Sequence, residues 1–416
     1  LDDQAFEKRL LRRDDPAPSA ERTASFTRTE KRLQALGLLD HEVDLHAAAR
    51  RAVGSGTLAF YDPITRDVSV RGTDTSTPAT RVTLAHELTH ALQDQHFDLR
   101  RMQVAAARHG NSSVVKAIIE GDATYVQHQF VSKLSDASQQ AYVSTEAGEV
   151  AQARALDVPE VIKVELGAPY ALGEGLVAAV RAAQGRRGVD ALFRDPPRSE
   201  LALVDPSTQL RHVRTVDVAT PRLGAGETPD GHATDLGAFG LYELLTSRLP
   251  ASEAMDAADL WRGDRLVQFT RGGRTCVKVD LAGADAQGSA TIRHALERWS
   301  AASPETAPAV AATAGHGNTT TELTSCQPAG AGAPIAADAL LDATKLLAER
   351  NLLAPELAAV GTPDRARCVA TRLVADAGFR GILDDADAGR IAPSAAQQQV
   401  LLRVAGLRDQ ILAACS

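Results

Sequence analysis

The chain has 416 residues, of which 44% are apolar and 24% are charged, a composition typical of a folded protein of two or three domains. This composition excludes a disordered chain, a collagen and a small disulfide-dense protein. Its 45 basic and 53 acidic residues give a formal net charge of −8, so we expect no nucleic acid partner. No apolar run approaches the about 20 residues of a membrane-spanning helix, so we expect no transmembrane segment.

The first part of the chain is predicted to mix helices with one hairpin. Residues 1–22 are charged and are interpreted as an N-terminal arm or the remnant of a removed prosegment. Apolar residues at helical spacing predict two short helices between residues 23 and 51, with a break at Gly37. Two β-rich runs within residues 57–71 flank a turn and predict a β-hairpin.

Residues 79–95 form the clearest predicted helix of the first half, and we expect its buried face to be the apolar stripe of Leu84, Leu88, Ala91 and Leu92. The later predicted elements are, in chain order, a helix over 112–129 after a loop around 109–111, helical sequence to about Arg187 with breaks near 167–169 and at Gly173, a loop over 216–234, a helix over 236–249, a hairpin over 267–279 turning at Gly272 and Gly273, a helix over 291–299, a weak strand over 319–324, and helices over 340–350, 366–377 and 397–414.

The four cysteines all lie in the last 141 residues of the chain and form no CxxC pair, which argues against a thiolate zinc cluster. An even number suits two disulfides in an exported protein. Cys276 falls on a strand of the predicted hairpin and Cys326 falls at the end of the next strand. Cys368 and Cys415 fall on two C-terminal helices. We therefore predict the pairs Cys276–Cys326 and Cys368–Cys415.

The motif that indicates chemistry is HExxH, at residues 86–90 of the clearest predicted helix. Two histidines four residues apart lie one turn apart on one helix face, so His86 and His90 can bind a single zinc ion. Glu87 lies beside that face, where it can take a proton from zinc-activated water. Burial of two histidines and a glutamate without a metal would be costly, so the motif predicts a metal site.

Two residues compete to be the third zinc ligand. His96 has the metzincin spacing, but Gln93 replaces the glycine that turns the chain there, and a continuing helix carries His96 away from the ligand face. Glu120 lies on the second predicted helix and is followed by Gly121. A glycine is unfavourable inside a helix, and we explain it by close packing against the metal-binding helix. Weaker ligand candidates are Asp122 and His128.

At these residues the chain resembles the gluzincins, zinc peptidases with HExxH and a downstream glutamate, and more closely the exported bacterial neutral zinc metallopeptidases. The matching segments read FYDP at 60–63, HELTHALQDQHFDL at 86–99 and EGDAT at 120–124. The resemblance spans residues 30–330 and implies a zincin-like domain. It also implies a zinc ion held by His86, His90 and Glu120, with Glu87 as the general base.

The implied reaction is the hydrolysis of a peptide or protein substrate by zinc-activated water. The developing oxyanion needs a donor besides zinc, and Tyr170 is favoured over the other candidates, Tyr125 and His212. Many gluzincins have an aspartate four residues after the third ligand, and Thr124 stands there in this chain. Asp122 could instead orient a ligand histidine.

These assignments predict an α-rich α+β protein in three parts: an arm over 1–22, a zinc metallopeptidase catalytic region with a small β-hairpin or sheet over 23–330, and a helical C-terminal domain over 331–416. Residues 301–337, rich in Ala, Gly, Thr and Pro, form the predicted boundary. We expect a secreted or cell-surface bacterial enzyme. Two alternatives stay open: a catalytically degenerate zincin fold that binds a peptide or partner, and a zinc amidohydrolase acting on a small amide or a cell-wall crosslink.

Overall fold

The computed structural model describes residues 1–14, 20–39, 43–54, 57–303, 309–314, 320–328, 339–357 and 362–415. Within these ranges the chain is an α-rich α+β protein, as predicted, with two antiparallel sheets. No helix in the described ranges combines the length and the apolar character needed to cross a membrane.

The helices are α1 (Asp3–Asp14), α2 (Ala20–Ala35), α3 (Leu45–Gly54), α4 (Pro78–Phe97), α5 (Leu99–His109), α6 (Ser112–Val131), α7 (Asp136–Ala155), α8 (Glu160–Arg194), α9 (Leu201–Val204), α10 (Ser207–Leu210), α11 (Gly237–Thr246), α12 (Ala251–Ala258), α13 (Ala286–Ala301), α14 (Ala339–Glu356), α15 (Pro363–Ala375), α16 (Ala377–Asp387) and α17 (Pro393–Ala414). The strands are β1 (Ala59–Asp62), β2 (Asp67–Val70), β3 (Glu227–Pro229), β4 (Trp261–Arg271), β5 (Arg274–Gly283), β6 (Ala309–Ala314) and β7 (Thr320–Cys326). Strands β1 and β2 form the predicted hairpin, and the larger sheet has the order β3-β4-β5-β7-β6.

Most predicted elements are present, but several were missed. The predicted loop over residues 216–234 contains β3, and α1, α5, α9, α10 and β6 had no predicted counterpart. The predicted helix breaks near residues 167–169 and at Gly173 are wrong, because α8 continues through both and leaves helical geometry only at Gly185 (φ 67°). The reason is burial: Ala168 and Leu172 pack into the core on either side of Pro169, and this packing outweighs the low helix propensity of the segment.

Both predicted disulfides are confirmed. Cys276 and Cys326 are cross-strand neighbours on β5 and β7, and their sulfurs are bonded. Cys368 on α15 is bonded to Cys415 at the end of α17. Each bridge therefore ties together elements that lie about 50 residues apart in sequence, which restricts the unfolded chain.

The C-terminal segment is helical, as predicted, but its helices extend the core of the preceding region rather than forming a core of their own among the described residues. Helix α14 packs along α8. Its Arg350 is fully buried and donates to both carboxylate oxygens of Asp259 at 3.0 Å. The predicted boundary coincides partly with residues 304–308, 315–319 and 329–338, which lie outside the described residues.

The described part of the predicted arm is folded onto the hairpin. Phe6 and Leu10 of α1 are buried against Phe60 of β1. Arg9 forms an ion pair with Asp67 of β2. Helix α1 thus covers one face of the strand pair whose first strand contacts α4.

Candidate metal centre

Helix α4, which contains the HExxH motif, has well-defined ends. The side chain of Thr77 accepts a hydrogen bond from the backbone of Thr80, and Pro78 occupies the first turn, where its missing N–H costs nothing. The helix ends at Asp98, which adopts a left-handed conformation (φ 56°). Asp98 then accepts a hydrogen bond from the backbone of Arg101, so the same residue ends α4 and begins α5.

The expectation that the leucine stripe of α4 is buried is wrong. Leu88 and Leu92 are 55% and 56% exposed. The buried residues are instead polar or ionisable, and they include His86, Glu87, His90, Gln93 and Asp94. Burial of so many polar groups is compensated by mutual bonds and by partners on α6 and β1, which the apolar pattern of a single helix cannot reveal.

Three of the predicted site residues converge on one point. Nε2 of His86 and Nε2 of His90 lie 3.0 Å apart, and Oε2 of Glu120 lies 3.4 Å and 3.3 Å from them. Ligand atoms of a tetrahedral ion with bonds of about 2.0–2.1 Å are separated by about 3.3–3.4 Å. Oε2 of Glu120 is buried and has no hydrogen-bond partner among the described residues. The donor set therefore fits a metal ion, and these three residues can hold one.

The charges of this group reinforce each other. Burial lowers the pKa of His90, but the adjacent negatively charged carboxylate of Glu120 outweighs that effect and raises the pKa to about 9. Burial alone would raise the pKa of Glu120, yet the two imidazoles hold it well below its usual range. Glu120 is therefore ionised near neutral pH, which is the form that binds metal ions.

Glu120 reaches the histidines because α6 crosses α8 in backbone contact. A Cβ atom on Gly121 would lie 2.1 Å from the carbonyl carbon of Gly173, and one on Gly173 would lie 1.9 Å from the carbonyl oxygen of Ala117. Gly121 is therefore closely packed, as predicted, but the prediction that it packs against the metal-binding helix α4 is wrong. Gly121 packs against α8, and this contact fixes the position of the neighbouring Glu120 beside α4.

His90 is held in one orientation and one tautomer by Gln93. The side-chain nitrogen of Gln93 donates to the carbonyl oxygen of Ile119 at 3.1 Å and to the carboxylate of Asp122 at 2.9 Å. Its oxygen is thereby left to accept from Nδ1–H of His90 at 2.9 Å, so Nε2 is the nitrogen that faces the metal position and would bind a metal after losing its proton. Asp122 thus acts on a ligand histidine through Gln93 rather than directly.

His86 lacks an equivalent partner. Its Nδ1 is buried and makes no hydrogen bond with any residue that the structure describes. Thr124 occupies the position at which many gluzincins have an aspartate, and it is buried on α6. The two ligand histidines are therefore supported unequally.

Glu87 contacts β1. Its Oε2 accepts a hydrogen bond from the backbone N–H of Tyr61 at 2.6 Å, and burial raises its pKa. The hydroxyl of Tyr61 donates to Asp94 at 2.9 Å. Tyr61 of β1 is thus hydrogen-bonded to two residues of α4, Glu87 and Asp94, that lie two helical turns apart. Sequence reasoning missed the roles of Tyr61 and Gln93. The available signals were the FYDP match and a polar residue one turn after His90 on its own face.

The other candidates lie apart from the three-residue group. His96 is exposed near the end of α4 and does not belong to the metal group, and helix geometry had predicted that it lies off the ligand face. Nδ1 of His128 is 2.6 Å from Oε1 of Glu174 on α8, in a separate ion pair. Among the oxyanion candidates, Tyr125 lies under the guanidinium of Arg181, and His212 is exposed after α10.

Tyr170 is the oxyanion candidate that lies beside a metal ligand. Its ring stacks on the ring of His86, with centroids 6.0 Å apart and planes 23° apart. The side chain is 40% exposed, so it borders solvent next to the metal group.

Comparisons with protein-family models, with curated proteins and with solved structures found no match to this chain. The resemblance to gluzincins therefore rests on the HExxH motif and the downstream glutamate.

Proposed function

We propose that the protein is a zinc-dependent peptidase in which His86, His90 and Glu120 hold the ion and Glu87 is the general base. The observation that carries this proposal is the convergence of the three donor atoms at 3.0–3.4 Å beside a buried glutamate. Two neutral imidazoles and one carboxylate leave room for a fourth ligand, as in catalytic rather than structural zinc sites.

Zinc is the metal favoured by the donor set. Nitrogen donors disfavour calcium and magnesium, which prefer oxygen ligands only, and the short separations suit bonds of about 2.0–2.1 Å. A zinc ion bound here would supply Lewis-acid chemistry, which polarises a carbonyl group and acidifies water. The remaining steps are carried by side chains of this chain.

Glu87 is suited to move a proton. Because burial raises its pKa toward neutrality, its carboxylate is a stronger base than an exposed one. The bond from Tyr61 anchors one carboxylate oxygen and leaves the other, Oε1, to accept a proton. Tyr170, which stacks on His86, would donate from its hydroxyl to the carbonyl oxygen as negative charge develops there.

The test is the variant Glu87→Gln, which keeps the size of the side chain and removes its basicity. We expect it to lose hydrolysis of an unstructured protein substrate while it retains about one zinc per chain, because Glu87 is a base and not a ligand. Glu297→Gln, an exposed change on α13, is the matched control and should keep both properties. Loss of zinc from the Glu87 variant, or wild-type turnover by it, would contradict the assigned role. Zinc retention by a wild-type chain that cuts no peptide would favour a binding protein or an amidohydrolase.

We also propose that the protein is exported. Two disulfides join all four cysteines, and such bridges persist in oxidising compartments. The chain purified from its native source without reductant should then contain no free thiol after denaturation. Four titratable thiols in that preparation would contradict export.

A further inference from the structure

A second feature of the molecule is a cleft of about 760 Å³ at the far end of α4 from the start of the HExxH motif. It is bounded by the end of α4, by α5, by the start of α6 and by the end of α8, and its lining includes none of the three metal-group residues. The volume lies within the range of clefts that bind organic ligands and exceeds what a small inorganic ion requires.

The floor of the cleft is apolar and firmly held. Phe97 and Phe193 stack with ring centroids 4.6 Å apart, and Met102 lies beside them in the lining. The wall beside Phe97 is fixed because Oδ1 of Asp94 accepts a hydrogen bond from the backbone of Leu99 at 2.9 Å.

The rim of the cleft is rich in cations, although the chain as a whole has a net charge of −8. Four arginines line it: Arg66, Arg101, Arg194 and Arg198. Arg101 and Arg198 are exposed and form no ion pair with any residue that the structure describes. Arg66 and Arg194 have only long contacts to carboxylates, at 3.6 Å and 3.8 Å.

The acidic residues of the lining do not neutralise this charge. The lining contains three acids, Asp94, Asp98 and Asp195, so four arginines face three aspartates and the lining keeps a net positive charge. The carboxylates of Asp94 and Asp98 also accept hydrogen bonds from neighbouring groups. The cleft therefore attracts anions.

The cleft lies near the metal group along α4 and α6. His90 and Asp94 are one turn apart on α4, about 6 Å along its axis. Tyr61 bridges the two places, since its backbone is bonded to Glu87 and its hydroxyl is bonded to Asp94. On α6, Val115 of the cleft precedes Glu120 by five residues, about 7.5 Å along the axis. A chain of a few extended residues spans this distance.

We propose that this cleft binds an acidic segment of an extended peptide, with carboxylates on Arg101 and Arg198 and an apolar side chain on the Phe97–Phe193 floor. Binding itself follows from the cleft alone, whereas its coupling to hydrolysis rests on the proposed function. The protein would then prefer substrates that carry Asp or Glu on one side of the bond that is cut.

Binding is tested with the full chain carrying Glu87→Gln, so that no peptide is consumed. The probes are a short fluorescent peptide with consecutive Asp and Glu residues, its Asn and Gln counterpart, and inorganic phosphate as a competitor. We expect the acidic peptide to bind about tenfold more tightly than the neutral one, and less tightly as salt is raised. Arg101→Glu with Arg198→Glu should weaken acidic-peptide binding by about tenfold or more.

The matched control is Arg100→Glu with Arg187→Glu, which reverses two exposed arginines on α5 and α8 outside the cleft lining. Unchanged affinity in this control, with loss in the Arg101 and Arg198 variant, supports the proposal. Equal affinity for the two peptides, or equal loss in both double variants, overturns it. Displacement of the acidic peptide by phosphate but not by chloride at equal ionic strength would identify a small-anion site and would also overturn it.

Hydrolysis by the wild-type chain is measured separately. If neither peptide is cut but the binding pattern holds, the cleft assignment stands and the peptidase proposal fails. If both peptides are cut with equal kcat/KM, the peptidase proposal stands and the coupling of the cleft to hydrolysis is refuted.

Discussion

Replacement of Gly121 by alanine tests whether the crossing of α6 and α8 positions the third ligand. The added Cβ would lie 2.1 Å from the carbonyl carbon of Gly173, 2.4 Å from its oxygen and 2.5 Å from the backbone nitrogen of Glu174. All three atoms belong to the backbone, so no side chain can move aside. Ordinary van der Waals contact begins near 3.4 Å, and the two helices would have to separate by more than about 1 Å.

That displacement has two measurable consequences. Overpacking costs about 1–3 kcal/mol, and the better helix propensity of alanine returns at most about 1 kcal/mol. We therefore expect the free energy of unfolding to fall by about 1–2 kcal/mol in urea denaturation. Because Glu120 is the adjacent residue, it should move relative to His86 and His90, and zinc affinity should fall by at least about tenfold in competition with a chelating dye.

Gly167→Ala is the matched control for this prediction. Gly167 lies inside α8, and a Cβ there meets nothing within 4 Å. We expect this variant to bind zinc normally and to gain up to about 1 kcal/mol of stability. If Gly121→Ala matched Gly167→Ala in both stability and zinc affinity, the argument from the helix crossing would be refuted.

Three further predictions concern other parts of the molecule. Gln93→Leu removes the acceptor of the His90 Nδ1–H bond and should weaken zinc binding by about 10–100-fold in the same dye competition. The same substitution at the exposed neighbour, Gln95→Leu, should leave zinc binding unchanged, and equal affinities of the two variants would contradict the role of Gln93. Tyr170→Phe should lower kcat by about 100-fold with little change in KM, and an unchanged kcat would exclude Tyr170 as the oxyanion donor. Glu200, which accepts a hydrogen bond from Ser113 at 2.6 Å, has its pKa raised by burial to about 7, so the stability that it provides at low pH is lost as pH rises from about 4.5 to about 7. The unfolding free energy of the wild type should therefore decline between pH 5 and pH 8, and in Glu200→Gln this decline should be smaller by up to about 2 kcal/mol. The control Glu297→Gln should decline as the wild type does. Parallel pH profiles of Glu200→Gln and wild type would disprove the assignment.

The metal group could be predicted because its information is local. HExxH fixes two ligands and a base at known spacing on one helix, and the position of His96 follows from helix geometry alone. Two observations were enough to choose Glu120 over His96: residue 93 is glutamine instead of the metzincin glycine, and Glu120 lies on a second predicted helix. The structure brings together the residues that this local reasoning selected.

The orientation of α4 could not be predicted, because it depends on partners that are distant in sequence. Leu88 and Leu92 suggested an apolar buried face, yet the buried side is the polar one, which bonds to Tyr61 on β1 and to Ile119 and Asp122 on α6. The sequence of a single helix does not show which of its polar side chains will be hydrogen-bonded by other elements of the fold.

Helix α5 and the unbroken α8 were missed for related reasons. The sequence did not indicate that Asp98, through its left-handed conformation and its side-chain bond, joins α4 directly to α5. Gly173 was predicted to break the helix, whereas its lack of a Cβ permits the backbone contact with α6. In both cases the function of the residue depends on a neighbour that the local sequence does not identify.

The central claim is that one zinc ion is held by His86, His90 and Glu120. The measurement that tests it most directly is an anomalous difference map collected at the zinc edge from crystals of the full chain. We predict a single strong peak about 2.0–2.2 Å from Nε2 of both histidines and from a carboxylate oxygen of Glu120. A peak elsewhere, a peak with His96 in place of Glu120, or no peak in zinc-replete crystals would contradict the account.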